Sequence, residues 1–365
     1  MAKIFYFVTG EGLGHATRSI PIINYLKKHH NIIPFSSNRS FKILKTHFSN
    51  AKKVIDFELI YIKDKINLKK TILYNLKKLY SIFKIFKKLK YYIKKEKPDL
   101  IISDFSIWPK LIKTFLGINF ITIDNNHFGV KAKIKKLNFY EWFKLNIYTK
   151  FFVSNNELNV ILSFCDIKHN KKTILINPIV RDKLIELKKK LKNRQIIKKN
   201  HILVYQTSNT YPNLIKKLKL LDHNFIVYGM DKNDRRNIKR LNIFEDKKIK
   251  FKSFNETEFF NDLATSKAII TNGGFSLISE AIFLNKAIMS VPVKNQYEQL
   301  LNSYYLNKNN LGFFSKSINK KQFNLFLNKI EFYEKKLKAN NTYEVQTSLI
   351  LINKIITDII KKNKK

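Results

Sequence analysis

The stretch GEGLGHATRS, residues 10–19, places Gly10, Gly12 and Gly14 at alternate positions, with His15 directly after them. Glycines let the backbone approach a ligand closely, and a histidine side chain takes up or releases a proton near neutral pH. His15 stands where a dinucleotide fingerprint requires its third glycine, and the stretch lacks the lysine of a Walker motif. The residues therefore indicate either an anion-binding loop with an acid–base group or an ordinary turn with a surface histidine.

A second stretch, from Thr271 to Leu306, combines glycines with acidic and amide side chains. Gly273 and Gly274 end an expected strand, and Ser276 is expected to cap the helix that follows. The free N–H groups of a helix N-terminus attract phosphate, and Glu280, in the second turn, could accept hydrogen bonds from two hydroxyls of a ribose. Side chains suited to sugar hydroxyls follow at helical spacing: Glu298, Gln299 and Asn302.

Two aspartates, Asp104 and Asp124, end apolar runs that we expect to be parallel strands. Since sites form at the carboxyl ends of such strands, either carboxylate is a candidate for orienting His15 as a general base. Each aspartate is alternatively a loop cap, and His127 a loop histidine. The chain contains no Asp-x-Asp pair and no His/Cys cluster, so the sequence gives no sign of a metal site.

Short apolar runs alternate with amphipathic segments through both halves of the chain, which predicts parallel sheets with helices on both faces. The expected strands are Lys3–Val8, Ile32–Phe35, Lys53–Phe57, Leu100–Ser103, Phe120–Asp124, Phe151–Val153, Ile174–Ile176, Ile202–Tyr205, Phe225–Tyr228, Ile249–Phe251, Ala268–Thr271 and Ala287–Val291. We therefore predict an α/β protein with two doubly wound, Rossmann-like domains, residues 1–180 and 201–340. A charged linker, 181–200, joins them, and the helix of a terminal segment, 341–365, packs back on the first domain.

The composition limits the class of protein. The length of 365 residues suits two domains, and the single cysteine, Cys165, fits a reducing, cytoplasmic compartment. The formal net charge is +43, which by itself suggests a nucleic-acid-binding protein. Because lysines are spread along the whole chain, we attribute most of this charge to A- and T-rich codons and expect no specific nucleic-acid partner. No apolar run approaches the 18 residues of a membrane span.

The amphipathic segment from Leu68 to Lys95 is expected to form one long helix. Lysines cover one face, and the apolar face carries Ile72, Leu76, Leu79, Phe83, Phe86 and Leu89. Such a helix either packs its apolar face into the core or docks on an anionic membrane surface.

Taken in order, these motifs resemble those of GT-B glycosyltransferases, in which two Rossmann-like domains face each other across a cleft. The chain is similar to glycosyltransferase family 28, which includes the lipid-linked N-acetylglucosaminyltransferase of peptidoglycan synthesis, and to UDP-glucuronosyltransferases. Microbial family 28-like proteins pair a G-x-G-x-G-H loop with a late G-G-x-S-x-x-x-E motif and an E-Q-x-x-N segment. Here these motifs are Gly10–His15, Gly273–Glu280 and Glu298–Asn302. The resemblance extends from residue 3 to about 310, and the late motif is its more specific part.

The resemblance implies a separate role for each domain. The first would bind an acceptor against Gly12 and Gly14, with His15 as the base. The second would hold a nucleotide sugar, with Gly273, Gly274 and Ser276 at the diphosphate, Glu280 at the ribose, Glu298 and Gln299 at the sugar, and Phe254 near the base. The chain departs from the family pattern in the loop QTSNT after Tyr205, which contains no glycine.

The function we expect is transfer of a hexose-type sugar from a UDP-linked donor to a hydroxyl acceptor, without metal or cofactor and with inversion. A lipid-linked acceptor would bring the cytoplasmic protein to the inner face of the membrane. A nucleotide-sugar hydrolase, a sugar 2-epimerase and a sugar-nucleotide-binding protein without turnover are the alternatives.

Overall fold

The fold is described from a computed structural model of the chain. The structure describes residues 1–10, 13–58, 60–62, 65–125, 157–166, 171–192, 199–206, 216–229, 247–294, 296–340 and 344–363. Two expected features, the strand Phe151–Val153 and the histidine His127, lie outside these residues.

Strands and helices alternate along most of the described chain. The strands of the described residues are β1 (Lys3–Val8), β2 (Asn31–Ser36), β3 (Lys52–Lys53), β4 (Tyr61–Ile62), β5 (Lys65–Ile66), β6 (Leu100–Asp104), β7 (Phe120–Asp124), β8 (Leu158–Leu162), β9 (Thr173–Ile176), β10 (Ile202–Tyr205), β11 (Phe225–Tyr228), β12 (Ile249–Phe251), β13 (Ala268–Thr271), β14 (Ile288–Ser290) and β15 (Phe313–Phe314). The helices are α1 (Leu13–Leu26), α2 (Asn38–His47), α3 (Leu68–Lys77), α4 (Leu79–Glu96), α5 (Trp108–Leu116), α6 (Asp182–Lys192), α7 (Glu256–Thr265), α8 (Phe275–Phe283), α9 (Tyr297–Lys308), α10 (Lys320–Leu327), α11 (Ile330–Asn340) and α12 (Val345–Asn363).

A parallel sheet forms the centre of the first unit, with strand order β3-β2-β1-β6-β7-β8-β9 among the described residues. Its central strands are buried on both faces, as near-continuous apolar runs require of a parallel sheet. Phe5 and Phe7 pack on one face with Leu89 of α4 and Trp108 of α5, while Tyr6 and Val8, which point to the opposite face, are also fully buried.

The second unit repeats this architecture with a sheet in the order β12-β11-β10-β13-β14-β15, again parallel throughout the described strands. Its core joins apolar side chains of β10, β11 and β13 to Phe323, Phe326 and Tyr333 of α10 and α11. The prediction of an α/β protein with two Rossmann-like domains is therefore confirmed.

The chain divides into two units at residues 181 and 182. The first unit holds 1–60, 66–181 and 343–365, and the second holds 61–65 and 182–342. The segment 181–200, which we expected to be a linker, begins with helix α6, whose Leu184 is fully buried within the second unit. Its few apolar residues are spaced so that they lie on one face of a helix. The many charged residues between them made this pattern hard to recognise in the sequence.

The C-terminal helix α12 belongs to the first unit. Its buried face carries Leu349, Ile352 and Ile356, and the helix contacts α1. In the turn between α1 and β2, His30 Nε2 lies 3.0 Å from the side-chain oxygen of Asn353. This last segment of the chain thus completes the core around the first helix.

The segment Leu68–Lys95 forms two helices, α3 and α4, and not the one that we expected. The side chain of Asn75 donates to the backbone oxygens of Thr71 (2.7 Å) and Glu58 (2.8 Å) and accepts from the N–H of Glu58 (3.0 Å). Asparagine forms such bonds readily, and they tie α3 to the segment around Glu58, so that α3 ends at Lys77.

Two strand expectations differ from the structure as well. The predicted strand Lys53–Phe57 is reduced to β3, because only Lys52 and Lys53 pair with β2. Strand β8 was not predicted, since polar Asn159 is the second residue of its short sequence LNVIL. That side chain accepts a hydrogen bond from Thr122 of β7 (3.2 Å), which stabilises it within the sheet.

None of the helices in the described part of the chain is both long and apolar enough to cross a membrane.

Candidate active site

In both sheets the chain reverses its winding direction at the centre, at β1/β6 in the first unit and at β10/β13 in the second. The loops beyond the carboxyl ends of such strands diverge, which leaves a crevice where open α/β sheets bind ligands. The loop after β1 carries the glycine stretch, and β6 ends at Asp104, which pairs with Val8. The loop after β13 carries Gly273 and Gly274.

His15 and Asp104 come together at the first of these points. His15 is the third residue of α1, and its Nδ1 lies 2.8 Å from Oδ1 of Asp104. The imidazole stacks against Phe105, with 6.1 Å between ring centroids. Since a carboxylate only accepts, Nδ1 donates in this hydrogen bond, and in the neutral ring with that tautomer Nε2 holds the lone pair. The pair is thus arranged to accept a proton at Nε2.

Asp104 is fully buried and is surrounded by donors. Arg18 donates to both of its carboxylate oxygens, and the Ser19 hydroxyl donates to Oδ2 (2.8 Å). Burial raises the pKa of this carboxyl, but the guanidinium of Arg18, followed by His15, outweighs burial and holds the pKa well below its usual range. Asp104 is therefore ionised throughout the range in which His15 would act.

Sequence reasoning missed Arg18 and Ser19, although their spacing from His15 is compatible with a shared helix face. They follow His15 by three and four residues, which places all three side chains on one face of a helix. Asn125, directly after β7, was missed as well; its side-chain oxygen accepts from Arg18.

The glycines of the first loop have different surroundings. A Cβ on Gly10 would lie 2.0 Å from the Ser37 hydroxyl, so this position needs glycine for packing against the end of β2. Gly14 lies in the first turn of α1, where its carbonyl accepts a hydrogen bond from the Thr17 side chain. Gly12 lies outside the described residues.

Asp124, the other candidate for orienting His15, ends β7 and is fully buried. The contact with the His15 ring is made by Asp104, and Asp124 lies beside the cluster through its neighbour Asn125.

Gly273 and Gly274 begin the second site for distinct reasons. Gly273 has a φ of +89°, a backbone conformation that residues with a Cβ atom rarely adopt. A Cβ there would also lie 2.7 Å from the backbone oxygen of Gln299. A Cβ on Gly274 would meet nothing within 4 Å. Gly274 is therefore free of packing demands, at a point where the N–H groups of α8 begin.

Helix α8 begins at Phe275 with Gly274 as its N-cap, so the expectation that Ser276 caps it is wrong. A residue without a side chain occupies the cap, so the cap residue itself makes no side-chain bond to the first N–H groups of the helix. Ser276 lies inside the first turn instead, close to those groups.

Three side chains of α9 form hydrogen bonds around the glycine loop. Asn302 donates to the backbone oxygen of Gly273 (3.0 Å), and the Ser303 hydroxyl donates to the backbone oxygen of Gln299 (2.6 Å). The Gln299 side-chain oxygen accepts from the N–H of Val293 (3.0 Å).

Two carboxylates and one aromatic ring complete the predicted set. Glu280 is buried in the second turn of α8, and Glu298 is half-buried in the first turn of α9. Phe254 follows β12, leans on Phe259 at 5.5 Å between ring centroids, and leaves 53% of its surface exposed. An exposed ring at the carboxyl end of a strand can stack on a flat ligand.

The described residues contain no cluster of side chains that could bind a metal ion. No group of three or more His, Cys, Asp or Glu side chains gathers at a metal-binding distance among the residues that the structure describes.

Comparisons with known proteins cover nearly the whole chain. The sequence profile described as glycosyl transferase family 1 matches residues 2–331. No curated protein sequence gives a significant match. The chain resembles the solved structures of Acinetobacter baumannii MurG (TM-score 0.62, 12% identity, 98% of this chain and 99% of that chain) and of CalG4, the calicheamicin glycosyltransferase (0.64, 11%, 99% of both). It also resembles Phytolacca americana UGT2 complexed with UDP-2-fluoro-glucose and pterostilbene (0.65, 10%, 100% of both). At such low identities these likenesses concern the fold.

Proposed function

The chain belongs to glycosyl transferase family 1 and is a GT-B glycosyltransferase, and from this premise we propose that it transfers a hexose-type sugar from a UDP-linked donor to a hydroxyl acceptor. The observation that carries the proposal is the His15–Asp104 pair at the carboxyl edge of the first sheet. A neutral imidazole held by a carboxylate is suited to remove a proton from a hydroxyl as it attacks.

In the proposed reaction, Nε2 of His15 accepts the proton of the acceptor hydroxyl. The hydroxyl oxygen forms a bond to the anomeric carbon, and the bond from that carbon to the diphosphate oxygen breaks. Asp104 keeps the ring oriented as the imidazolium forms. Because the attacking group comes from the acceptor in a single displacement, we propose inversion at the anomeric carbon.

The donor is assigned to the second unit. The N–H groups at the start of α8, next to Gly274, would bind the leaving diphosphate and stabilise its charge. Glu280 would accept from the ribose hydroxyls, Glu298 and Gln299 would bind the sugar, and Phe254 would stack on the base. UGT2, which is similar in fold, was solved with UDP-2-fluoro-glucose, and this supports a UDP-linked donor. We propose that the reaction needs neither metal nor cofactor, since backbone N–H groups take the part that a metal ion plays elsewhere.

A panel of nucleotide sugars tests the donor assignment. With EDTA present, UDP-sugars should raise the melting temperature of the protein more than the same sugars on other nucleotides, since ligands that bind only the native state stabilise it. Replacing Glu280 with Gln should weaken binding of the best donor about 10-fold, which is the value of roughly one charge-assisted hydrogen bond. Titration calorimetry measures this affinity.

Glu298→Gln serves as the matched control, because it changes another carboxylate of the second unit, the one that is assigned to the sugar. It should weaken binding of the UDP-sugar and leave the affinity for UDP alone unchanged, whereas Glu280→Gln should weaken both. Unchanged UDP affinity in Glu280→Gln would remove Glu280 from the ribose site.

The acceptor is proposed to be lipid-linked, on the evidence of α3 and α4. Leu89 and Ile93 in the second half of α4 pack into the core, which agrees with the core-packing alternative for this segment. Six side chains of α3 and of the first turns of α4 are instead more than half exposed: Ile72, Leu73, Leu76, Leu79, Tyr80 and Phe83. We call these six residues the α3–α4 apolar surface. Exposed lysines such as Lys84, Lys87 and Lys88 border it. An apolar surface with a basic border matches the interface of an anionic bilayer.

The α3–α4 apolar surface predicts two separable contributions to membrane binding. The protein should pellet with phosphatidylglycerol vesicles, and Lys→Glu changes at Lys84, Lys87 and Lys88 should reduce pelleting at low salt, since each lysine contributes about 1 kcal/mol. Leu79→Ser with Phe83→Ser should remove the part of the binding that persists in high salt, because apolar insertion is not screened.

Lys→Glu changes at Lys183, Lys189 and Lys190 of α6 provide the charge-matched control, since these side chains are also exposed. If the α6 changes reduce pelleting as much as the α4 changes, bulk charge explains the binding and the surface has no special part in it.

A further inference from the structure

We infer that Arg18 is a positioning residue that holds Asp104 in one orientation and opposes its charge at the His15 ring. The inference deepens the proposed function, because its catalytic meaning depends on His15 being the base. The physical claim concerns the side chains alone, so it can be measured without turnover.

The geometry of Arg18 is that of a fixed fork. Its Nε donates to Oδ2 of Asp104 (3.0 Å) and its Nη2 to Oδ1 (2.5 Å), while Nη1 donates to Asn125. The side chain is almost fully buried, so the guanidinium cannot turn away from these partners. A planar guanidinium with two parallel bonds fixes a carboxylate in one orientation, which a lysine cannot do.

The same nitrogen also limits the tautomer of His15. Arg18 Nη2 lies 2.5 Å from His15 Nδ1, and both face the same oxygen of Asp104. Nδ1 can donate to the carboxylate or accept from Arg18, but not both. We assign the proton to Nδ1, so that both Nδ1 and Nη2 donate to Oδ1 of Asp104 and neither accepts from the other.

The charges of the pair act on His15 in opposite directions. A carboxylate within hydrogen-bond distance favours the imidazolium, and by itself would keep a histidine protonated to higher pH. The Arg18 cation, at a similar distance from the ring, opposes this. The two charges therefore act against each other at the imidazole.

Other groups that titrate or carry charge face this cluster from neighbouring elements. They are Tyr6 of β1, Asp56 after β3 and Asp124 of β7. Burial raises the pKa of Tyr6 and keeps it neutral, and burial raises the pKa of Asp56 to about 6. Asp56 thus changes its charge near pH 6 and could itself affect the His15 signal. The His15 titration should therefore be measured with and without Asp56→Asn.

The experiment is an NMR titration of the histidine rings in the ligand-free protein. The chain has eight histidines, and the His15 signal is the one that His15→Gln removes. In Arg18→Gln the ring should titrate about one pH unit higher than in the unchanged protein, because the attraction of Asp104 is no longer opposed. Arg18→Lys, which keeps the charge, should restore most of the difference. A role in folding alone would leave the titration unchanged, and a titration of Arg18→Gln equal to that of the unchanged protein overturns the inference.

Loss of Arg18 leaves Asp104 buried without its partner, and a variant of this kind can fail to fold. The double variant Arg18→Gln with Asp104→Asn removes both charges and keeps hydrogen-bonding groups in place. If Arg18 cancels Asp104, His15 titrates at nearly the same pH in this variant and in the unchanged protein. If the unchanged protein titrates about one unit or more above the double variant, Asp104 acts unopposed and the inference is wrong.

Failure of the proposed function gives a different result. In that case His15→Gln keeps its turnover, while the titrations of the Arg18 variants still report on the charge balance.

Discussion

Replacing His15 with glutamine should lower turnover by about 10²–10⁴-fold while the affinity for the donor stays the same. Glutamine retains hydrogen-bonding capacity toward Asp104 but has no lone pair basic enough to accept a proton, and general-base catalysis contributes about this factor. Donor affinity is kept because the donor is assigned to the second unit. Turnover is measured as release of the nucleoside diphosphate, with hydroxyl acceptors that include lipid-linked sugars.

The matched control is His29→Gln, which changes an exposed histidine beyond the other end of α1. It should leave turnover unchanged. A purified His15→Gln protein that retains the turnover of the unchanged enzyme would exclude His15 as the base. Release of the diphosphate without any acceptor would instead indicate a hydrolase that uses water.

Replacing Gly273 with alanine should lower the free energy of unfolding by about 2–4 kcal/mol and abolish donor binding. A φ of +89° costs a side chain of L configuration about 1–3 kcal/mol, and the added methyl group must also displace its neighbours. Two of those neighbours are the hydroxyls of Ser290 and Ser303, which bond to each other at 2.7 Å. The third neighbour is the backbone oxygen of Gln299, which can move less than a side chain can. Urea unfolding and calorimetry measure the two effects.

Gly274→Ala separates the fold from the site, because its Cβ would meet no atom of the protein. Its stability should stay within about 0.5 kcal/mol of the original. Donor affinity should nevertheless fall, since the methyl group would stand where a phosphate approaches the helix. Unchanged donor affinity in Gly274→Ala would place the diphosphate elsewhere.

The sequence predicts the sheets well because their strands are apolar on both faces and end in polar residues. Lys3–Val8, Phe120–Asp124 and Ile202–Tyr205 agree with the structure residue by residue. Strand β8 was missed because Asn159 interrupts its apolar run, and its stability depends on a neighbour 37 positions away. Local patterns report burial, and they do not report which polar side chains find partners across a sheet.

The site was predictable in its residue types and less so in its pairings. The positions of His15 and of the late glycines followed from motif spacing. The choice of Asp104 over Asp124 as the partner of His15 depends on strand order, since β6 is the neighbour of β1 and β7 is one strand further away. Arg18 was overlooked because a basic residue among seventy lysines and arginines carries little signal until its burial is known.

The position of α12 has a consequence for how the protein is made. Residues 343–365, which complete the first unit, leave the ribosome only after residues 182–342 of the second unit. At about 5–20 residues per second, the nascent first unit waits about 10–30 seconds for its last helix, with the apolar face that will receive Leu349, Ile352 and Ile356 uncovered. The second unit has no such delay. The first unit, although most of it is synthesised first, is therefore completed after the second unit.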